Sequence, residues 1–270
     1  MTDSPRIVTL TTDFGTDDTF VGEMKGAILA VCPWAAIVDL SHAVPAHDLA
    51  AGAFVLACGT ASFPDGTVHV AVVDPGVGTA RRALAVQTPR AVYLAPDNGV
   101  LTRVLRREPA FAIHALENPL YRRAEVSGTF EGRDVFAPAA GFVLRGEPLE
   151  RLGARVVDPV LIDVFRSPGA GPLDRALVPV AHVDRFGNAI LDLEACEVPV
   201  AHRERIAFVA ARGSAHGLYR TYGDGPENGA FGVVNGAGYV ELAVRRGRAT
   251  EILGLASGDS VTVRLAPDVV

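Results

Sequence analysis

The sequence predicts an α/β domain with a largely parallel sheet, followed by a smaller all-β, barrel-like domain. Apolar strand patterns alternate with helical patterns over the first half of the chain. Proline and glycine then dominate the stretch SPGAGP, and helical periodicity is scarce after it. We therefore place the α/β domain at residues 1–166, a linker at 167–174 and the barrel-like domain at 175–270.

Each predicted element follows from this patterning. Runs of apolar and β-branched residues predict strands, and longer segments with small residues on one face predict helices. In the first half, the predicted strands are Ile7–Thr11, Ala36–Leu40, Thr67–Val73 and Ala91–Ala95, and the predicted helices are Phe20–Val31 and Ala46–Cys58. In the second half, the predicted strands are Ala176–Val183, Ala189–Leu193, Ile206–Ala210, Tyr239–Val244 and Ser260–Leu265.

Composition limits the classes of partner. The chain has 25 Lys and Arg residues against 31 Asp and Glu residues, and its formal net charge is −6. This balance argues against nucleic acid as the main partner, because phosphate binding needs clustered basic residues. No run reaches the roughly 18 apolar residues of a membrane span, and the first residues lack the apolar core of a secretion signal. We expect a soluble, cytoplasmic protein with no membrane or nucleic-acid partner.

Cysteine and histidine do not indicate a metal site. The three cysteines lie far apart, at positions 32, 58 and 196, and are best interpreted as buried free thiols. The seven histidines form neither a His-Glu-x-x-His pattern nor a tight cluster. The Gly-x-Ser-x-Gly motif of serine hydrolases is missing too. We therefore expect no bound metal.

Three aspartates, Asp13, Asp17 and Asp18, follow the first predicted strand in the stretch TTDFGTDD. Ligands of open α/β sheets gather at the carboxyl ends of strands. A carboxylate held there can accept two hydrogen bonds from a ribose diol. Capping of the next helix by Asp17 or Asp18 is the competing interpretation. Three aspartates within six residues at a strand end favour a binding site.

Asp74 ends another predicted strand, and Arg81 follows it in the stretch VVDPGVGTARR. A carboxylate beside a guanidinium can hold and polarise a water molecule. A carboxylate in such a pair is a weak base, because the guanidinium favours its charged form. It is therefore expected to position the water rather than to deprotonate the water fully. A structural ion pair that closes the turn is the alternative. The stretch has only two glycines of the dinucleotide-binding fingerprint, so we reject that function.

Two further stretches, APDNGVLT and TFEGRDVFAP, combine turn residues with charged residues. The Asn-Gly pair of the first predicts a turn rather than a site. In the second, Glu131 and Gly132 are site candidates, because a glycine lets the backbone approach a ligand closely. Arg133 and Asp134 are expected to pair with each other or to cap the following helix.

In the second domain, the stretches DRFGN and NGAGYVELA carry aromatic and amide side chains. An aromatic ring such as that of Phe186 or Tyr239 can stack on a purine. An amide such as that of Asn188 or Asn235 can pair with the purine edge. Taken alone, both stretches are ordinary β-turns.

Taken in order, these six stretches resemble the S-adenosyl-L-methionine (SAM) hydroxide adenosyltransferase family, which is related to the SAM-dependent fluorinase and chlorinase. The resemblance covers nearly the whole chain. It implies an N-terminal α/β domain, a C-terminal β-barrel, and SAM as substrate without a cofactor. It also implies a homotrimer that binds SAM between the N-terminal domain of one subunit and the C-terminal domain of its neighbour.

The resemblance assigns roles within the first domain. Asp13 matches an aspartate that grips the ribose hydroxyls, and Asp18 matches a position near the methionine part. Asp74 and Arg81 match two members of an Asp-Arg-His set that is associated with the attacking water. The halogenases carry tyrosine at the position of Asp74, which indicates the water-using branch here. Glu131 stands where hydrolase-like members carry histidine, and this departure leaves the rate and the nucleophile open.

In the second domain, the residues that match adenine-binding and methionine-binding stretches are Phe186, Asn188 and Asn235. Tyr222 matches an aromatic residue near the adenine, across an alignment gap. Gly236 and Ala237 replace polar and basic residues of the halogenases, so contacts to the methionine end are expected to differ.

The predicted function is hydrolysis of SAM to adenosine and L-methionine by in-line attack of water on ribose C5′. Asp74 and Arg81 are predicted to orient the water, with Glu131 assisting. One alternative is halide attack that forms a 5′-halo-adenosine, which two carboxylates near the nucleophile disfavour. The other is a SAM-binding sensor with little catalysis, which the missing histidine supports.

Overall fold

The computed structural model describes residues 6–163 and 172–265. The chain separates into two compact units, Met1–Asp163 and Val164–Val270. Most of the linker predicted at 167–174 lies outside the described residues, so the predicted domain boundaries stay a prediction. The predicted fold class is confirmed, because a mostly parallel sheet with helices is followed by a closed β-barrel.

Within residues 6–163, six strands form one sheet. They are β1 (Ile7–Thr12), β2 (Ala36–Ser41), β3 (Thr67–Val72), β4 (Ala83–Gln87), β5 (Ala91–Pro96) and β6 (Ala112–Ala115). Their order is β2-β1-β3-β5-β4-β6. Strand β4 runs antiparallel to both of its neighbours, and the other described pairs are parallel. The sequence pattern missed β4 and β6.

Helices cover both faces of this sheet. They are α1 (Phe20–Val31), α2 (Leu49–Thr60), α3 (Thr102–Arg107) and α4 (Ala137–Leu144), and a π-helical turn, Gly132–Phe136, runs directly into α4. One apolar core contains residues of α1, α4 and the central strands, and another contains residues of α2 and the opposite strand faces. All residues of β3 and β5 are buried, as expected for parallel strands that are covered on both sides.

Within residues 172–265, seven strands close into a barrel. They are β7 (Leu177–Val183), β8 (Ala189–Glu194), β9 (Ala207–Ala210), β10 (Gly213–Tyr219), β11 (Ala230–Val234), β12 (Tyr239–Ala243) and β13 (Ser260–Arg264), with a short helix α5 (Ala249–Leu253). Their order is β10-β11-β12-β8-β7-β13-β9, and the pair of β9 with β10 closes the barrel. The pair of β10 and β11 is parallel. Both of these strands were missed by the sequence pattern.

No helix in the described part of the chain is both long enough and apolar enough to cross a lipid bilayer.

Candidate active site

The carboxyl ends of three adjacent strands carry polar side chains at one edge of the sheet. Asp13 directly follows β1, Asp74 lies two residues after β3, and Asn98 lies two residues after β5. The strands β1 and β3 are parallel and in register, as are β3 and β5. These side chains therefore start from the edge where open α/β sheets bind ligands.

Arg81 joins two carboxylates at this edge. Its Nε donates a hydrogen bond to Asp74 Oδ1 at 2.9 Å, and its Nη2 donates to Asp74 Oδ2. The same Nη2 donates to Glu131 Oε2 at 2.6 Å. The two carboxylates, 57 positions apart in the sequence, thus meet at a single nitrogen. The structure brings all three predicted catalytic residues together.

The cluster is largely withdrawn from water. The exposed fraction of the side chain is 4% for Asp74, 9% for Arg81 and 18% for Glu131. Burial alone would lower the pKa of Arg81, but the hydrogen bonds and charges of the two carboxylates outweigh it and raise that pKa. The guanidinium also lies over the Phe136 ring, with 5.8 Å between its carbon and the ring centroid. Counted by formal charge, two carboxylates and one guanidinium give the cluster a net charge of −1.

The loop between Asp74 and Arg81 is tightly built. Thr79 Oγ1 donates to the Gly76 carbonyl at 2.7 Å. Gly78 has a φ of +77°, and a Cβ at that position would collide with the carbonyl oxygen of Gly128. Glycine is therefore required at this point of the loop that holds the ion cluster.

Asn98 supports the same strand end. Its Nδ2 donates to the Val73 carbonyl at 2.9 Å, and its Oδ1 accepts from the backbone N–H of Val100 at 3.2 Å. The predicted Asn-Gly turn is present, and its amide side chain also fixes the residue that precedes Asp74. The sequence pattern predicts only the turn, and it does not indicate the contact of Asn98 with Val73.

The backbone around Gly132 is closely packed. A Cβ at this position would lie 3.2 Å from both Met24 Sδ and Phe130 Cε2. Packing inside the unit thus gives a reason for the glycine that is independent of any ligand. The expected pairing of Arg133 with Asp134 is confirmed, with Nε donating to Oδ1 at 2.7 Å.

Asp13 and Asp18 differ in their surroundings. The Asp13 side chain is 8% exposed, and its Oδ2 accepts a hydrogen bond from the backbone N–H of His47 at 2.9 Å. Asp18 is exposed. The N-cap of α1 is Thr19, so the alternative that Asp17 or Asp18 caps this helix is wrong.

Three phenylalanines form an aromatic cluster beside the ion cluster. The rings of Phe14, Phe20 and Phe130 contact each other edge-on, with centroid distances of 5.3 to 5.9 Å. Phe14 follows Asp13 in the chain, and Phe130 precedes Glu131, so both site loops are anchored in one apolar contact. Sequence reasoning missed this cluster, because nothing in the spacing brings residues 14 and 130 together.

The barrel unit assembles three of its predicted site residues around a carboxyl group that was not among the candidates. Tyr222 donates its hydroxyl to Glu241 Oε1 at 2.5 Å. The amide side chains of Asn188 and Asn235 lie close enough to the same carboxyl group to favour its charged form. Glu241 is 4% exposed, whereas Tyr222 is 50% exposed. The sequence stretch NGAGYVELA contained Glu241, but no pattern distinguished it from an ordinary strand residue.

Phe186 lies at the tip of the turn that leads to Asn188. Asp184 organises this turn, because its Oδ1 accepts from the backbone N–H groups of Phe186 at 2.9 Å and Asn188 at 2.8 Å. The Phe186 side chain is 73% exposed. The predicted β-turn is therefore present, and it presents an aromatic ring to solvent in the barrel unit.

Among the described residues, no group of three or more histidine, cysteine, aspartate and glutamate side chains is arranged to hold a metal ion.

Comparison with known proteins gives a consistent result. The model of the SAM hydroxide adenosyltransferase N-terminal domain matches residues 8–153, and that of the C-terminal domain matches residues 178–262. An (R)-S-adenosyl-L-methionine hydrolase of Thermus thermophilus is 40% identical over 260 residues, which cover 94% of this chain and 97% of that protein. A fluorinase of Nocardia brasiliensis is 27% identical, over 96% of this chain and 97% of that protein.

A solved structure gives the same fold. The crystal structure of an uncharacterized conserved protein from Thermotoga maritima superposes with a TM-score of 0.88 at 32% identity, covering 96% of this chain and 99% of that one. The family models together match well over half of the chain. The chain belongs to the SAM hydroxide adenosyltransferase family.

Proposed function

We propose that this protein hydrolyses S-adenosyl-L-methionine to adenosine and L-methionine, by in-line attack of water on ribose C5′. The observation that carries the proposal is the buried cluster in which Arg81 joins Asp74 and Glu131 at the ligand-binding edge of the sheet. The relatives support it as well, because the hydrolase of Thermus thermophilus is 40% identical and the fluorinase of Nocardia brasiliensis only 27%.

The reaction needs little help at the leaving group. As the C5′–O bond forms, the C5′–S bond breaks, and its electron pair stays on sulfur. The sulfonium charge disappears with the departure of methionine, and the attacking water loses one proton. The protein therefore has to hold water in line with the breaking bond and to keep bulk water out.

The ion cluster suits the task of orienting water. Each of the three nitrogens of Arg81 donates to a protein oxygen, because Nη1 donates to the Arg82 carbonyl and the other two bind the carboxylates. The carboxylates of Asp74 and Glu131 remain as acceptors. A water whose hydrogens point to these carboxylates directs an oxygen lone pair away from them, and in our proposal toward C5′.

Glu131 is proposed to take the released proton toward solvent, since its side chain is more exposed than that of Asp74.

Halide attack is disfavoured by the same geometry. A halide has no hydrogen to donate to the carboxylates, and it would meet a net negative cluster in a medium of low dielectric.

Substrate contacts are proposed from the resemblance. We assign Asp13 to the ribose hydroxyls, Asp18 to the methionine part and Gly132 to a close backbone approach. In the barrel unit, the residues assigned to SAM are Phe186, Asn188, Tyr222 and Asn235. The buried Asp13 carboxylate supports its role, because it is anchored through one oxygen by His47 and has acceptor capacity left for a diol.

The assembly and location are proposals of the same kind. We propose a cytoplasmic homotrimer whose sites combine two subunits. The family resemblance supports the trimer, and the three free cysteines are compatible with a reducing compartment. Sedimentation of the purified chain over a range of concentrations measures the assembly directly.

Incubation of the purified protein with SAM in ¹⁸O-labelled water, without halide, tests the reaction. We expect methionine and adenosine that carries the label at its 5′ oxygen, as measured by mass spectrometry. Label-free adenosine would exclude direct attack by solvent water. A 5′-halo-adenosine that forms only with added halide would establish the halogenase alternative, and intact SAM despite measured binding would establish the sensor alternative.

Asp74→Asn tests the ion cluster in the same assay. We expect kcat to fall about a hundredfold or more, because the water loses a charged acceptor, while SAM still binds. Asp65→Asn is the matched control: Asp65 also pairs with an arginine, Arg90, but its side chain is 73% exposed. Native turnover by Asp74→Asn would remove Asp74 from the mechanism.

A further inference from the structure

A buried carboxyl group occupies the wall of the barrel. Glu241 lies in the middle of β12, opposite Val233 on one neighbouring strand and Ile190 on the other. Its chain neighbours Val240 and Leu242 belong to the apolar core of the barrel, so the Glu241 side chain lies on the other face of the strand. A carboxyl group that is 4% exposed is costly unless donors surround it.

The donors around Glu241 come from separate parts of the barrel. Tyr222 lies in the segment between β10 and β11, Asn188 directly precedes β8, and Asn235 directly follows β11. The Tyr222 hydroxyl donates a hydrogen bond to Glu241, and the amides of Asn188 and Asn235 lie close enough to this carboxyl group to favour its charged form. One carboxyl group therefore links three loops that are far apart in the sequence.

The amide groups are fixed on their other side as well. Asn235 Oδ1 accepts from the backbone N–H groups of Ala237 and Tyr239, both at 3.0 Å. Asn188 Nδ2 donates to Asp184 Oδ2 at 3.0 Å. Both amides thus have a set orientation, and Tyr222 is a half-exposed ring whose hydroxyl end is anchored.

The surroundings of Tyr222 keep its hydroxyl protonated, so that it can donate a hydrogen bond to Glu241. Burial raises the pKa of Glu241, and the charge of Asp184 adds to this, while the Tyr222 hydroxyl and the two neighbouring amides lower it by less. Burial and the neighbouring Glu241 also raise the pKa of Tyr222, so its hydroxyl stays protonated at neutral pH.

We propose that Glu241 is a positioning residue for SAM binding: it holds Tyr222, Asn188 and Asn235 in the single arrangement that receives the substrate. The inference rests on the proposed function and adds to it a residue that touches the binding groups rather than the reacting atoms. Loss of Glu241 is expected to weaken SAM binding and to leave the chemical step unchanged.

Kinetics of the full chain with SAM test this role, with product formation followed by mass spectrometry. We expect Glu241→Leu to raise KM about tenfold while kcat stays near the native value, because Tyr222 loses its acceptor and the two amides lose the carboxyl group beside them. Glu241→Gln keeps one acceptor oxygen for Tyr222 and is expected to recover part of the loss. The control Asp259→Leu removes the carboxylate that accepts from the Ala256 N–H in an exposed turn, and KM should not change.

Tyr222→Phe gives a second measurement in case Glu241→Leu folds poorly. This substitution removes only the hydroxyl that binds Glu241, and it should raise KM in the native background. In the Glu241→Leu background it should have no further effect, because the hydroxyl has already lost its partner. Additive effects on KM, or a Glu241→Leu variant with native KM, would overturn the proposal.

Binding of SAM to the Asp74→Asn variant, measured by calorimetry, separates this inference from the proposed function. If SAM does not bind even when Glu241 is present, both the function and the role of Glu241 are wrong. If SAM binds, and binds equally well after Glu241→Leu is added, only the role of Glu241 is wrong.

Discussion

Removal of Arg81 should destabilise the first unit strongly. Arg81→Met keeps the length and apolar stem of the side chain but leaves the carboxylates of Asp74 and Glu131 facing each other without their cation. Both carboxylates are withdrawn from water, so solvent can compensate only in part. Loss of one member of such a buried cluster costs about 3–5 kcal/mol of unfolding free energy.

Tryptophan fluorescence measures this loss in the right unit. The chain has one tryptophan, Trp34, and it lies in the first unit, where the Arg6 guanidinium stands 5.2 Å from its ring centroid. Urea unfolding followed at this residue therefore reports on the unit that contains the cluster. Arg90→Met is the control, because Arg90 pairs with Asp65 at the surface and should cost less than about 1 kcal/mol.

A third variant tests the physical reason. In Asp74→Asn/Arg81→Met/Glu131→Gln no unpaired charge remains, so most of the lost stability should return. If Arg81→Met costs no more than Arg90→Met, or if the triple variant is as unstable as the single one, the buried ion cluster does not stabilise the unit as reasoned.

The remaining predictions concern one glycine and one histidine. Gly78→Ala should lower the free energy of unfolding by more than about 1 kcal/mol and lower kcat by up to about a hundredfold, because it disturbs the loop that holds Arg81. Gly66→Ala is the control: Gly66 has a similar φ but open space around the new Cβ, and kcat should stay at the native value. Burial, with a smaller effect of the Arg90 charge, lowers the pKa of His69 from 6.5 to about 4. Between pH 6.5 and 4, His69 therefore binds a proton in the unfolded chain but not in the folded unit. The free energy of unfolding should fall by up to about 3 kcal/mol as the pH drops through this range. His69→Gln should flatten this dependence in urea titrations, and an unchanged slope would contradict it.

The sequence pattern predicted those helices and strands whose own residues have a clear local preference for the observed structure. The helix predicted at Phe20–Val31 has those same bounds, and the strand predicted at Ala91–Ala95 differs by one residue. Strand β10, with the sequence GSAHGLY, was missed because it contains two glycines and no β-branched residue. It exists because β9 and β11 hydrogen-bond to it on both sides, and such tertiary pairing overrides weak local preference.

In the candidate site too, contacts between residues close in the sequence could be predicted, and contacts between distant residues could not. Asp74 and Arg81 lie in one loop, so their proximity could be inferred from spacing. The contact of Arg81 with Glu131 spans 50 residues, and only the family resemblance suggested it. The link between Tyr222 and Glu241 depends on the order of strands in a closed barrel, which no local pattern contains.

Glu131 gives the cluster a charge that should affect binding and rate in opposite ways. With a neutral histidine at this position the cluster would be neutral, whereas two carboxylates and one guanidinium carry a net charge of −1. In the proposed reaction the sulfonium is cationic in bound SAM and loses its charge toward the transition state. A negative cluster therefore stabilises the bound substrate more than the transition state, which lowers KM and also lowers kcat.

Glu131→His is accordingly expected to raise kcat and KM together, in kinetics measured at a pH where imidazole is neutral. Glu131→Gln separates charge from proton transfer, because it removes the negative charge without supplying a base. If the charge alone matters, both variants should raise KM similarly. If Glu131 also accepts the proton, as proposed, only the histidine variant should raise kcat. A fall of kcat in Glu131→His, with KM unchanged, would show that the carboxylate serves the chemical step and that its charge does not hold the sulfonium.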